Sequence, residues 1–272
     1  MRINNNITAL NTFNKYTKNT EASSKAMEKL SSGFRINRAA DDAAGLSISE
    51  KMRSQIAGLD QSGRNVEDGI SYIQTAEGAL EEVSDMLVRM KELAVEASNG
   101  TYSATDLANI QAEITQLANA ITEVSTTTKF NGIDVFGTAT TISYGANAGE
   151  SVTVAAAAAF TGIATATTGA LATINVVPAG GAAAAVTTIE SAINTVNTQR
   201  ATYGAQQNKL THISNNLSTT NENISAAESN IRDVDMASEM SEYTKDNILV
   251  QAATAMLAQA NAMPQNVLSL LQ

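Results

Sequence analysis

Cysteine and tryptophan are absent from this chain, histidine occurs once, and proline occurs only at 178 and 264. Without cysteine, neither a disulfide nor a thiolate metal site is available. With no proline before residue 178, helices of about 40 residues are unobstructed. Aromatic residues are 4% of the chain although apolar residues reach 43%, much of that alanine, a mixture suited to close helix packing rather than a bulky globular core. Basic residues are the minority, 17 against 27 acids for a net charge of −10. That balance argues against nucleic acid, whose phosphates demand clustered cations. The opening "MRINNNITALNTFNKY" has no continuous apolar h-region, so no Sec signal peptide is expected. Charge is also missing from the last 26 residues, Asn247 to Gln272. This tail is too polar to span a membrane, because Gln251, Thr254, Gln259 and Asn261 recur along it and Pro264-Gln265-Asn266 interrupts it. No membrane insertion is expected.

What is present is a repeating stripe. Apolar residues recur at alternating steps of three and four in the series Val66, Ile70, Ile73, Ala76, Leu80, Val83, Leu87, Met90. A second series runs Leu107, Ile110, Ile114, Leu117, Ile121, Val124, and a third runs Ile189, Ile193, Val196, Arg200, Tyr203, Gln207, Leu210. Such spacing is that of coiled-coil seams. Asn99-Gly100 reads as a helix stop and Ser103 with Asp106 as a capping box, hence an antiparallel helical hairpin. "KFNGIDVF" at 129–136 reads as a short β-hairpin turning on Asn-Gly. The fold class is therefore mainly α: an elongated antiparallel helical bundle or coiled coil built from both chain ends, with a short β-hairpin. From Phe130 to Ile189 the only charges are Asp134 and Glu150. This Ala/Thr/Gly-rich insert reads either as a flexible segment or as a small β module, and replacement of about 140–178 by a short Gly-Ser linker is expected to leave assembly intact.

The two ends resemble each other. Ile3, Ile7 and Leu10 open an apolar stripe continued by Phe13, Tyr16, Thr20, Ser23, Met27, Leu30 and Phe34. Both ends are amphipathic helix formers without a partner nearby in sequence, so the simplest arrangement pairs them. One wet-faced pair buries too little to order the whole tail, and further copies of the chain supply the rest. The expected polymerisation core is Ile3, Ile7, Leu10 and Phe13 at the front, with Val250, Leu257, Met263, Val267, Leu268 and Leu271 at the back.

No catalytic constellation emerges. His212 lies between Leu210 and Ile213 without spaced partners and reads as a surface or packing histidine. Asp41-Asp42, preceded by Arg35 and Arg38, reads as a charged loop or subunit contact. Glycines 58, 63, 69 and 78 fit no phosphate-binding loop. Met236, Met240, Met256 and Met263 read as flexible packing at a helix interface. Neither an enzyme nor a bound metal or cofactor is expected.

The stretch "LSSGFRINRAADDAAGLSISEKMRSQIAGLDQSGRNVEDGISYIQTAEGAL" at 30–80 resembles the N-terminal signature of bacterial flagellin. "VRMKELAVEASNG" at 88–100, "IQAEITQL" at 110–117 and "LAQANAMPQNVLSLLQ" at 257–272 match it in the same order. The resemblance covers about 1–137 and 186–272. It implies a filament subunit of the bacterial flagellum that polymerises with many copies of itself, is exported unfolded through the flagellar type III apparatus, and is extracellular. A flagellin export chaperone, a filament cap and hook–filament junction proteins are the implied partners. The implied domains are 1–43 and 234–272 as inner coiled-coil arms, 44–137 and 181–233 as the helical rod, and 138–180 as a surface insert. The family's recognition by host Toll-like receptor 5 maps by resemblance onto Arg89, Leu93 and Glu113. Arg89 and Leu93 are four apart, and Arg89 and Glu113 are equidistant from a turn near Thr101, so the spacing expects one patch. A junction protein sharing the same ends, and a secreted enzyme displayed on a filament, are the competing readings.

Overall fold

The computed structural model describes residues 6–147, 149–154, 174–177 and 181–269, and for 264–269 the backbone alone. The expectations at Ile3 and Leu271, and at the side chains of Val267 and Leu268, lie outside the described residues. Among the described residues the order is α1 (Ile7–Ser32), α2 (Ala43–Ala97), α3 (Ala104–Thr127), β1 (Lys129–Phe130), β2 (Ile133–Asp134), β3 (Thr140–Ser143), β4 (Ser151–Val154), α4 (Gly181–Arg232) and α5 (Met236–Ser269). The protein is mainly α with two short antiparallel hairpins. Packing divides it into two compact units, residues 57–221 and residues 1–56 with 222–272. The cuts fall inside α2 and α4.

The unit 57–221 is held by seams that repeat every seven residues. In α2, Val66, Ile73, Leu80, Leu87 and Ala94 alternate with Ala76, Val83, Met90 and Ala97, all at most 1% exposed. In α4 the same step runs Ala182, Ile189, Val196, Tyr203, Leu210 and Leu217, and in α3 Leu107, Ile114 and Ile121. A 3.5-residue repeat keeps one edge of each helix turned inward over its whole length. Ser103 closes a capping box with Asp106, hydroxyl to backbone N–H and carboxylate to backbone N–H. The Ser103 hydroxyl also donates to the Asp106 carboxylate at 2.7 Å, and this bond, followed by that from the Ser103 backbone N–H, holds the Asp106 carboxyl below its ordinary range. The β1–β2 hairpin turns on Asn131 and Gly132, with φ of 48° and 80°, the left-handed pair that a two-residue type I′ turn requires.

The insert is not wholly peripheral, and the expected linker replacement of about 140–178 would remove core residues. Ile142, Val152, Val154, Ile174 and Val176 all join the core cluster of this unit. Gly69 makes room for Ile142: a Cβ at 69 would collide with its Cδ1. The Gln111 side chain donates to the Ile174 carbonyl at 2.7 Å and accepts from the Val176 N–H at 2.9 Å. One amide thus satisfies a passing backbone as a neighbouring strand would. Composition hid these anchors because they are single residues in an Ala/Thr background.

One polar layer interrupts the seam of α4. The Tyr203 hydroxyl, Gln199 Nε2 and Gln206 Oε1 are buried without a hydrogen-bond partner. Burial pushes the Tyr203 phenol above its ordinary value, and the nearby Gln199 amide opposes this, although the two groups do not close a hydrogen bond.

Candidate assembly surface

The unit 1–56 with 222–272 pairs the chain ends, and the pairing is antiparallel. The Asn6 side chain reaches Ala260, Lys29 reaches Glu239 at 3.3 Å, and Val234 donates to the Gly33 carbonyl at 3.0 Å. Between the helices lies a fixed corner. Gly33, at φ 76°, stops α1 by donating its N–H to the Lys29 carbonyl, the left-handed cap that favours glycine. Phe34 then forms an antiparallel bridge with Asp233. The Arg232 guanidinium stands 4.8 Å from the Phe34 ring centroid and 3.0 Å from Glu50. The Asp41–Asp42 pair, expected as a charged loop, ties this turn together. Asp41 Oδ2 accepts from the Arg38 and Asn37 N–H groups, and Asp42 Oδ1 accepts from the Gly45 N–H. The Arg38 backbone bond holds the Asp41 carboxyl below its usual value.

The sequence expectation that the termini pair is met, through Tyr16, Ser23 and Leu30 of the expected stripe but not through Ile7, Leu10 or Phe13. The α1 residues turned toward α5 are Ala9, Thr12, Tyr16, Asn19, Ser23, Ala26 and Leu30, of which Ala26 alone is fully buried. On α5 the inward series is Glu239, Tyr243, Asp246, Val250, Ala253, Leu257 and Ala260. Small and polar side chains share this seam with the half-buried Tyr16, Leu30, Tyr243, Val250 and Leu257. Other large side chains point away: Ile7, Leu10 and Phe13 are 61%, 60% and 52% exposed. Leu249, Met256 and Met263 form a second, seven-residue series on α5 and are likewise exposed. Of the expected polymerisation core, therefore, Ile7, Leu10, Phe13 and Met263 stand open, whereas Val250 and Leu257 are half-buried in the intrachain seam. The heptad register explains the split, since 250 and 257 share the inward edge with 243.

Pro264 does not end α5, as the sequence reading expected; the helix runs on to Ser269. A proline lacks the N–H that would bond the carbonyl four residues earlier. That carbonyl, Ala260, accepts instead from Asn6 Nδ2 at 2.8 Å. Asn6 also accepts the Ala9 N–H at 3.1 Å and so caps α1. Sequence reasoning missed this residue, although an asparagine three positions before Ala9 is an N-cap signal.

On the rod unit, Arg89 and Glu113 lie level and meet. Arg89 Nε and Nη2 donate to Glu113 Oε1 at 3.1 and 3.0 Å, and Nη1 to Glu92 at 3.2 Å. These carboxylates raise the Arg89 pKa, Glu113 first. Leu93 is not on that surface. It is 2% exposed within the core, because a four-residue step in a 3.5-residue repeat rotates it toward the seam. His212 is exposed on α4. Among the described residues, no three His, Asp or Glu side chains are gathered as a metal-ligating group.

Two family models match the chain: the bacterial flagellin N-terminal helical region over residues 3–141 and the C-terminal helical region over 186–271. The flagellin of Bacillus subtilis (strain 168) is 51% identical over 304 aligned residues, covering all of both chains. The flagellar filament 31.3 kDa core protein of Treponema maltophilum is 43% identical over 291, again covering all of both. The crystal structure of Bacillus cereus flagellin aligns at a TM-score of 0.50 and 31% identity, covering 61% of this chain and 94% of that one. Paired helical ends with open apolar faces define a self-assembling structural subunit. The chain belongs to the bacterial flagellin family. It is a structural subunit of the flagellar filament, the organelle of motility.

Proposed function

We propose that polymerisation proceeds through the outward apolar faces of α1 and α5, with 1–43 and 234–272 as inner arms, 44–137 and 181–233 as rod, and 138–180 as surface insert. The observation that carries this reading is the inversion of the arm pair. Its seam mixes small and polar residues with the half-buried Tyr16, Leu30, Tyr243, Val250 and Leu257, while Ile7, Leu10, Phe13, Met256 and Met263 face outward. Large apolar side chains cost free energy in water and are stabilised by a second copy. No helix among the described residues is long and apolar enough to cross a membrane, so these faces serve protein contacts. The chain is exported unfolded through the flagellar type III channel, delivered by an export chaperone, and added beneath a filament cap distal to the hook–filament junction proteins. It acts outside the cell and as a structural subunit, not as an enzyme. Removal of residues 248–272 tests the arm: sedimentation is expected to find no filaments, while circular dichroism retains the rod helices. Normal filaments from the shortened chain would end the proposal.

A second reading is favoured by one geometry, the level contact of Arg89 and Glu113 at 3.0 Å. This exposed pair is the surface for host Toll-like receptor 5, with Leu93 supporting it from beneath. Arg89→Ala with Glu113→Ala is expected to weaken receptor binding by the monomer without loss of helix content. Equal affinity of the double variant and the wild type would refute it.

A further inference from the structure

Charge is distributed unevenly along this chain. Residues 1–38 carry seven of its 17 basic residues but only Glu21 and Glu28 among its 27 acids, a net +5 against −15 for the remainder. Lys15, Lys18, Lys25 and Lys29 fall within about 80° of the α1 circumference at 100° per residue. They form one stripe beside the α5-facing seam, separate from Leu10 and Phe13. Lys29 is engaged by Glu239. Lys15, Lys18 and Lys25 are exposed, and among the described residues none has an ion-pair partner.

The complementary surface lies on α2. Between Arg64 and Arg89 there are six acids and no base. Glu67, Asp68, Glu81, Glu82 and Asp85 are all exposed on the side opposite the buried seam. Among the described residues none of their carboxylates takes part in an ion pair.

We propose that the Lys15–Lys18–Lys25 stripe of one copy docks on the acidic outer face of α2, around Glu81, Glu82 and Asp85, of a second copy. The inference rests on the filament reading above and adds a partner surface to it. Two different patches meet, so the contact does not close on itself and supports open-ended growth. Complementary stripes fix register and speed docking, whereas copies approaching like-to-like are repelled. The apolar arm faces supply adhesion without register.

Charge exchange tests the pairing in the full-length chain. Lys15→Glu/Lys18→Glu/Lys25→Glu and Glu81→Lys/Glu82→Lys/Asp85→Lys should each raise the critical concentration for polymerisation about tenfold. All six altered residues are exposed, and circular dichroism checks that both variants remain helical. The chain combining both sets should return to within about threefold of wild type, as expected of a direct pair. A combined variant as defective as either parent would overturn the proposal, as would a lysine triple variant that polymerises normally. If that triple variant loses binding to phosphatidylglycerol vesicles while polymerising normally, the stripe faces lipid and the pairing falls. Wild-type chain that forms no polymer would instead bring down the filament reading itself, a result distinct from a defect confined to the variants.

Discussion

The two compact units use the same 3.5-residue spacing and reach opposite outcomes. In the unit 57–221, the large side chains stand on the inward edge, and three helices with two hairpins exclude water from them. In the unit of the two ends, the inward edge is mostly half-buried and rich in Ala, Thr, Asn and Ser, and large side chains such as Ile7, Leu10, Phe13 and Met256 stand on the outward edge. A heptad therefore specifies which side of a helix is uniform, not what covers it. The first unit buries its large side chains within its own chain. The second leaves Ile7, Leu10, Phe13, Met256 and Met263 exposed.

Substitutions can sharpen this contrast. Leu80 is fully buried, so Leu80→Ala is expected to lower the stability of the rod unit by about 2–5 kcal/mol in urea denaturation of the monomer. Phe13→Ala, at an exposed position, should leave the same transition within about 0.5 kcal/mol while raising the critical concentration for filament growth. Equal monomer effects would break the comparison. Gly69→Ala should cost about 1–3 kcal/mol, since a methyl there overpacks against Ile142, and the same denaturation reports it. Asn6→Ala removes a cap and the donor to Ala260, and should cost the arm about 1–2 kcal/mol. The readout is faster hydrogen exchange across α1 with the rod unchanged. The smallest effect at neutral pH belongs to Tyr203→Phe, which deletes an unpartnered hydroxyl. The folded phenol titrates above its ordinary value, so its contribution is intact below the unfolded value near 10 and is lost as pH rises through the folded one. The variant should unfold at a higher alkaline pH than the wild type.

Where a large side chain marked the inward edge, the sequence was sufficient. Ile73, Leu80 and Leu87 announced the α2 seam, Asn131-Gly132 announced the hairpin, and Ser103 with Asp106 announced the start of α3. The arms were harder to read, because the apolar stripe of Ile7, Leu10 and Phe13 and the intrachain seam of Ala9, Thr12 and Tyr16 lie on different faces of one helix. Pattern alone does not say which face closes first. Leu93 was misassigned to the surface by an i, i+4 argument that neglected the register of its neighbours. The buried anchors of the insert, Val152 and Ile174 among them, were masked by the surrounding alanine and threonine. Continuation of α5 through Pro264 depended on a donor 254 residues away in sequence, which no local window contains.

That distant donor makes the arm sensitive to chain completeness. Asn6 and the carbonyl it satisfies lie 254 residues apart in sequence. A chain cut short before Ala260 retains its cap on α1 but has no acceptor for the Asn6 amide and no strut opposite the start of α1. The contact at the start of α1 thus needs residues from both helices, so truncation before Ala260 frees that end while the Lys29–Glu239 and Gly33–Val234 contacts still hold the other.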